Sequence, residues 1–156
     1  MVSFMENRKI REVDINEYLP VLIDIINTSN DVSLLISGNS MSPFLIHHRD
    51  TIIISKPDRS FKKGDMVFFK RINGQYVMHR IHHLDKSGDL FLVGDGQKVI
   101  EGPIKPEQVF GIIYKVIRKG KVITKGDFWW FFFEKIWIRM VPFRRFVLWL
   151  YSKLKK

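Results

Sequence analysis

The sequence predicts a mainly β fold: an antiparallel coiled sheet or barrel-like domain, preceded by a helix and followed by an amphipathic helical tail. Three observations predict this arrangement. Short β-rich runs separated by turn residues fill the middle of the chain, residues 15–28 have helical apolar spacing, and residues 127–156 concentrate aromatic and basic side chains. The chain has 156 residues, which suits one compact domain. We therefore expect a β domain over 1–126 and a tail over 127–156.

The first element is predicted to be a short amphipathic helix over 15–28. The apolar residues expected to pack on the sheet are Leu22, Ile23, Ile25 and Ile26. The apolar stretch 18–26 is much shorter than the roughly 20 residues that a membrane-spanning helix needs. The first 17 residues mix acidic and basic side chains, which is not the pattern of a secretory signal.

Six strands are predicted between this helix and the tail. They are 32–37, 51–55, 65–71, 75–82, 89–93 and 109–118. Asn73-Gly74 separates two of these runs, and Asn-Gly is the strongest short signal for a hairpin. We expect 65–71 and 75–82 to pair as antiparallel neighbours, and the whole set to form an antiparallel sheet that coils or closes.

Charge is distributed unevenly along the chain. The net formal charge is +10, and residues 1–114 are balanced, so the basic excess lies in 115–156. On a helical wheel most apolar side chains of 143–154 form one stripe, with Arg144 and Arg145 opposite it and Leu148 and Trp149 as exceptions. Aromatic residues beside Lys and Arg are typical of helices in a membrane interface. Packing on the sheet or in an oligomer interface is the alternative, especially for 128–140.

Two other partner classes are weighed against this charge. Aromatic blocks on one helical stripe differ from the spaced stacking platforms of single-strand binders, so no specific nucleic-acid partner is expected. Cysteine is absent, which excludes disulfides and thiolate chemistry. The histidines are His47, His48, His79, His82 and His83. No carboxylate lies at ligand-like spacing from either adjacent pair, so neither a metal nor another cofactor is expected.

The loop 37–43, Ser-Gly-Asn-Ser-Met-Ser-Pro, follows the first predicted strand. Gly38 permits a tight turn, and Pro43 restricts the backbone on the far side. Ser40 would present its hydroxyl at the rim of the sheet, near backbone N–H groups. A hydroxyl needs an adjacent base to act as a nucleophile. Without such a base, the segment is an ordinary polar loop.

His79 is the candidate base. Strand alternation places it on one face with Val77 and Ile81, and places Arg80 on the other. Between two apolar neighbours the imidazole would be sheltered and neutral near pH 7, as a general base requires. A half-buried histidine bonded to backbone is the alternative interpretation.

Five motifs follow one another with regular spacing. They are Ser40-Met41-x-Pro43, Arg49-Asp50-Thr51, Gly64-Asp65-Met66-Val67, His79-Arg80-Ile81 and Gly94-Asp95-Gly96. In this order they resemble the conserved boxes of the signal peptidase I and LexA-like serine peptidase superfamily, over about half of the chain. The resemblance implies that Ser40 is the nucleophile and His79 the base. A histidine followed by arginine is similar to the branch that includes the endoplasmic-reticulum signal peptidases.

The resemblance also implies an acidic residue that orients His79. Asp95 matches the aspartate of the Gly-Asp box, and Glu101 lies where that branch has a later aspartate. Either could bond the second imidazole nitrogen, and Asp95 is placed first because it matches the motif.

The remaining site residues come from the serine loop. Many bacterial relatives have a serine two positions before the nucleophile. Gly38 stands there instead, so the oxyanion hole would rely on backbone N–H groups, chiefly that of Ser40. Met41 and Pro43, in the same motif, are expected to contact substrate.

The sequence thus predicts a serine endopeptidase that cleaves a leader or signal-type peptide by acyl-enzyme chemistry. We expect it at a membrane surface through 127–156, peripherally and on the cytoplasmic face, with a location in the cytoplasm as the alternative. Another possibility is a non-catalytic, membrane-anchored module of the same fold that binds a peptide without cutting it.

Overall fold

The computed structural model describes residues 2–6, 9–13 and 15–154, with side chains from residue 17 onward. The last two residues of the predicted tail 127–156 lie outside the described part. Ten strands lie in that part: β1 Val2–Glu6, β2 Lys9–Val13, β3 Val32–Leu35, β4 Thr51–Ser55, β5 Met66–Lys70, β6 Tyr76–Leu84, β7 Leu90–Val93, β8 Glu101–Ile104, β9 Val109–Arg118 and β10 Lys121–Thr124.

The strands form one antiparallel sheet in the order β2-β1-β3-β4-β9-β5-β6-β7-β8, with β10 paired to β9. The two ends of this order do not pair, so the sheet is coiled but not closed. The predicted fold class is therefore confirmed. The hairpin predicted around Asn73-Gly74 is also confirmed, because β5 pairs with β6 in antiparallel register from Met66↔Arg80 to Lys70↔Tyr76.

All six predicted strands are present, and four further strands escaped the sequence analysis: β1, β2, β8 and β10. The reason is clearest for β8, whose sequence Glu-Gly-Pro-Ile contains two residues that usually end strands. In the described sheet β8 is the outer strand beside β7. An edge strand tolerates proline because one side of its backbone has no partner.

The predicted N-terminal helix is confirmed as α1, Ile15–Asn27. Leu19, Leu22 and Ile26 are buried against the sheet, at the spacing of one helical face. The expectation that Ile25 packs there is wrong. Its side chain is exposed, because it lies a quarter-turn from Ile26 and outside the buried stripe.

Alternation along β5 and β6 separates two apolar clusters, one on each face of the sheet. Phe68 belongs to the larger cluster, which α1 and the C-terminal segment cover, while Val67 and Ile81 belong to the other. His79 therefore emerges on the face of Val67 and Ile81, and Arg80 emerges on the face of Phe68.

The C-terminal segment contains four short helical elements. They are α2 Phe128–Phe131, a π-helical turn Phe132–Ile136, a 3₁₀ segment Trp137–Phe143 and α3 Arg144–Leu154. Trp130 and Phe133 pack around the buried ring of Phe44, with ring centroids 6.2 Å and 4.8 Å from it. The first half of the predicted tail therefore packs on the sheet, which was the alternative to membrane contact.

The last helix, α3, differs from that first half because most of its apolar side chains are exposed. Phe146 is 64% exposed and Trp149 is 55% exposed. Arg144 departs from its predicted position on a polar outer face, since only 1% of it is accessible. Within the described residues, no helix has both the length and the apolar character that crossing a membrane requires.

Candidate active site

The serine loop follows β3 directly and begins with a turn at Gly38. Gly38 has φ of +103°, a conformation that L side chains rarely adopt. Its backbone N–H donates a hydrogen bond to Nδ1 of His47 at 2.9 Å. This bond uses the N–H of Gly38, so that N–H is not free to bind an oxyanion. Ser40 itself is half-buried.

The turn Gly94-Asp95-Gly96 holds the serine loop in place. The Gly96 N–H donates a hydrogen bond to the Ser40 carbonyl oxygen at 2.9 Å. A Cβ atom on Gly94 would lie only 2.4 Å from that same oxygen, and one on Gly96 would lie 2.8 Å from the Ser42 oxygen. Both glycines are therefore required by the close approach of the two backbones.

Ser40 opens into a cavity of about 140 Å³ between its loop and β6. Gly38 and Ser40 form one wall, and Val77 and Met78 of β6 contribute to the opposite one. The cavity therefore brings the serine next to the residues that immediately precede His79 in β6.

His79 is 2% exposed, and it pairs with Val67 of the neighbouring strand β5. Its ring lies 6.0 Å from the ring of Phe69, and its Nδ1 lies 2.7 Å from an Oε1 oxygen of Glu101. This short contact to Glu101 is not a linear hydrogen bond. It places a carboxylate against Nδ1 of the imidazole, so Nε2 is the nitrogen that does not face Glu101.

Glu101 is the first residue of β8 and connects His79 to an arginine. Arg71 donates two hydrogen bonds to the Glu101 carboxylate, at 2.7 Å and 2.9 Å. Burial raises the pKa of Glu101, but the contacts with His79 and Arg71 outweigh it and lower the pKa from 4.5 to about 2. Glu101 is thus a carboxylate at neutral pH, as a group that orients an imidazole must be.

Asp95 has a different partner. Its carboxylate is completely buried and accepts two hydrogen bonds from Arg80, at 3.0 Å and 2.9 Å. Arg80 also donates to the Gly64 carbonyl oxygen at 2.9 Å. The geometry therefore favours Glu101 over Asp95 as the residue that orients His79, which reverses the order expected from motif matching. The reason is that Asp95 is hydrogen-bonded to Arg80, whose side chain lies on the face of β6 opposite to His79.

The two predicted substrate contacts are placed differently. Met41 is 2% exposed and belongs to the larger apolar cluster, although it also contributes to the cavity beside Ser40. Pro43 is half-buried, and its carbonyl oxygen accepts a hydrogen bond from Arg118 at 3.4 Å. The main contacts of the Met41 side chain are therefore with the apolar core.

The histidines outside the candidate dyad form close pairs. The rings of His47 and His48 stack at 3.6 Å, and Nδ1 atoms of His82 and His83 lie 2.9 Å apart. In the part of the chain that the structure describes, no group of three or more His, Asp or Glu residues is arranged to hold a metal ion.

Arg71 is a site residue that the sequence analysis missed. It begins the turn before Asn73-Gly74, so its local pattern indicates only a hairpin. Its partner Glu101 lies 30 positions away, and β8 was itself not predicted. The role of Arg71 becomes visible only when β5, which it follows, and β8, which begins with Glu101, are placed in the sheet.

An antiparallel coiled sheet that carries a serine loop against a Gly-Asp-Gly turn defines a serine peptidase-type fold. The family model described as Peptidase S24-like matches residues 5–123, about three quarters of the chain, and the chain belongs to this family. The predicted superfamily is thereby confirmed. Comparison with the curated proteins and with the solved structures gave no significant match.

Proposed function

We propose that this protein is a serine endopeptidase in which Ser40 is the nucleophile, His79 the general base and Glu101 the group that orients His79. The proposal depends on one observation: the buried His79 contacts the partly exposed Glu101, next to the stretch of β6 that lines the Ser40 cavity. The succession His79-Arg80 and the position of Glu101 favour the histidine-type branch of the superfamily, whose members include signal peptidases.

In the proposed reaction, each of these groups has one role. Ser40 Oγ attacks the scissile carbonyl carbon while its proton moves to Nε2 of His79, since Nδ1 faces Glu101. The developing oxyanion accepts a hydrogen bond from the backbone N–H of Ser40. His79 then gives its proton to the leaving amine, and the acyl-enzyme remains. A water molecule then attacks the ester carbonyl carbon while His79 takes its proton, and His79 returns that proton to Ser40 Oγ as the acid product leaves.

The edge of β6 supplies a place for an extended substrate. Residues 76–80 pair with β5 on one side, whereas β7 pairs only from Arg80 onward. In the described sheet, the other edge of 76–79 has no strand partner. A peptide added there as a strand would pass the Ser40 cavity, with alternate side chains entering pockets. This supports an extended leader segment as the substrate class.

The exposed part of the C-terminal segment supports action at a membrane surface. Phe146 and Trp149 present aromatic rings from α3, and the basic residues Lys135, Arg139 and Arg145 are exposed nearby in sequence. Each basic residue close to an anionic leaflet contributes about 1 kcal/mol of attraction. We therefore propose that this segment docks on an anionic leaflet and brings the site to membrane-bound precursors.

A fluorophosphonate probe tests the proposal, because it reacts covalently with an activated serine. We expect labelling at Ser40, identified by mass spectrometry, and its loss in Ser40→Ala and His79→Ala. Ser42→Ala, in the same loop and equally half-buried, is the matched control and should label like the wild type. If folded wild-type protein remains unlabelled while it binds extended peptides, the non-catalytic binding module is the correct interpretation instead.

A further inference from the structure

Two buried side chains of the C-terminal segment hold the turn that lies behind Ser40. Trp137 donates its indole N–H to the Asp95 carbonyl oxygen at 2.8 Å. Arg144 donates to the carbonyl oxygens of Gly94 and Gln97, at 2.7 Å and 2.9 Å. These three bonds fix the backbone of 94–97, and both donors lie beyond the segment 5–123 that matches the family.

The same turn contacts Ser40 on its other side. The Gly96 N–H donates to the Ser40 carbonyl oxygen at 2.9 Å, and Gly94 approaches the same oxygen closely. A continuous set of backbone contacts therefore runs from the C-terminal segment through 94–97 to the serine. A shift of this turn would move the peptide unit of Ser40 because the glycines leave no free space between the two backbones.

The burial of Arg144 is costly if packing is its only role. The side chain is 1% exposed, and burial lowers its pKa. The neighbouring carboxylate of Asp95 already accepts two bonds from Arg80. Apart from one bond of 3.2 Å to the Trp137 oxygen, the hydrogen bonds of Arg144 go to carbonyl groups of the turn. An apolar side chain would fill the space at lower cost but would not orient these carbonyl groups.

The cluster beneath these two residues keeps them in place. Val93, at the end of β7, packs with Ile138 and Val141, which lie between Trp137 and Arg144 in the chain. The Arg144 guanidinium also lies 5.5 Å from the centre of the Trp137 ring. The donors are thus anchored to the strand from which the turn begins.

We propose that Trp137 and Arg144 are positioning residues for the nucleophile: they fix the turn 94–97, and through it the backbone of Ser40. This inference rests on the proposed function of Ser40. It makes the C-terminal segment part of the active-site framework, in addition to the membrane-docking role of its exposed side chains.

Trp137→Phe is the central test, because it keeps a buried ring and removes only the N–H donor. We expect the rate of fluorophosphonate labelling at Ser40, and kcat on a cleaved peptide, to fall about 10- to 100-fold, since small displacements of reacting groups have effects of this size. KM should change less than about twofold. Trp130→Phe, the same change at another buried tryptophan of the segment, which packs on Phe44, should leave both rates unchanged.

Arg144→Lys is the second variant, and it keeps the charge while losing the fork that reaches two carbonyl groups. Arg59→Lys, which likewise loses a fork of two hydrogen bonds, here to the Asp65 carboxylate, is its control. Thermal melting shows that each variant is folded at the assay temperature. A loss of rate that disappears when the variants are compared at equal distance below their melting midpoints would overturn the positioning role.

Hydrogen exchange separates this inference from the catalytic proposal because it does not need a reaction. In Trp137→Phe we expect the amide of Gly96, which donates to Ser40, to exchange about tenfold faster, with β4 and β5 unchanged. Unchanged exchange of 94–97 would overturn the positioning role even if Ser40 is catalytic. Faster exchange with no labelling of the wild type would overturn the catalytic proposal alone.

Discussion

Asp95 provides the sharpest test of the roles that the structure gives to the two acidic candidates, Asp95 as the buried partner of Arg80 and Glu101 as the partner of His79. Asp95→Asn keeps the shape of the side chain but removes the charge that faces Arg80, and both side chains are at most 1% exposed. Breaking a buried ion pair on one side costs about 3–5 kcal/mol, because an uncompensated charge remains. The substituted amide could still accept one of the two bonds from Arg80, and the bond to Gly64 is unaffected, so we expect a loss of about 3 kcal/mol, at the lower end of that range.

Urea unfolding followed by tryptophan fluorescence measures this loss directly. For a chain of this size the loss corresponds to a fall in melting temperature of roughly 6–12 °C. Glu101→Gln should cost less than about 1 kcal/mol, because Glu101 and Arg71 are partly exposed to solvent. Replacing the pair together, as Arg80→Met with Asp95→Leu, should recover much of the stability. A loss below about 1 kcal/mol in Asp95→Asn would refute the assignment of Asp95 to the framework.

Four further predictions concern Glu101, Gly94 and α3. In Glu101→Gln, cleavage and probe labelling should fall about 10²- to 10⁴-fold, because the imidazole loses the carboxylate that orients it; unchanged labelling would contradict that role. The pKa of Glu101 is lowered in the folded state from 4.5 to about 2, so its contribution to stability is complete above pH 4.5 and is lost as the pH falls towards 2. Acid titration should therefore show a smaller stability loss for Glu101→Gln than for the wild type over this range. Gly94→Ala should destabilise the fold by about 1–3 kcal/mol and reduce labelling, since its Cβ would meet the Ser40 oxygen at 2.4 Å; a melting temperature equal to that of the wild type would argue against this close approach. Phe146→Ala with Trp149→Ala should weaken co-sedimentation with anionic liposomes at least about tenfold without a change in melting temperature; unchanged co-sedimentation would contradict docking through α3.

Local patterns predicted most of the sheet because its signals lie within a few residues of one another. Asn73-Gly74 between two β-rich runs gave the correct hairpin, and the alternation of β6 correctly placed His79 and Arg80 on opposite faces. The strand β8 was missed because Gly102 and Pro103 are common in turns, and only the neighbouring β7 shows that they belong to an edge.

The partner of His79 depends on sheet register, which short patterns do not contain. Ile81 pairs with Leu92, and Leu92 pairs with Glu101, so two neighbouring strands bring the glutamate level with Ile81, two residues from His79 on the same face of β6. Both pairings are interrupted by bulges. A shift of one residue would turn Glu101 to the other face of the sheet.

By itself, the sequence determined the first helix, six of the ten described strands, the serine loop, the histidine in β6 and the basic, aromatic character of the C-terminus. Each of these depends on residue types at short spacing. Only the tertiary structure decided that Glu101 meets His79, that Asp95 belongs to Arg80, and that Trp137 and Arg144 turn inward. These contacts join residues 15 to 50 positions apart. They form only when sheet register and core packing bring distant segments together, and no local preference encodes that distance.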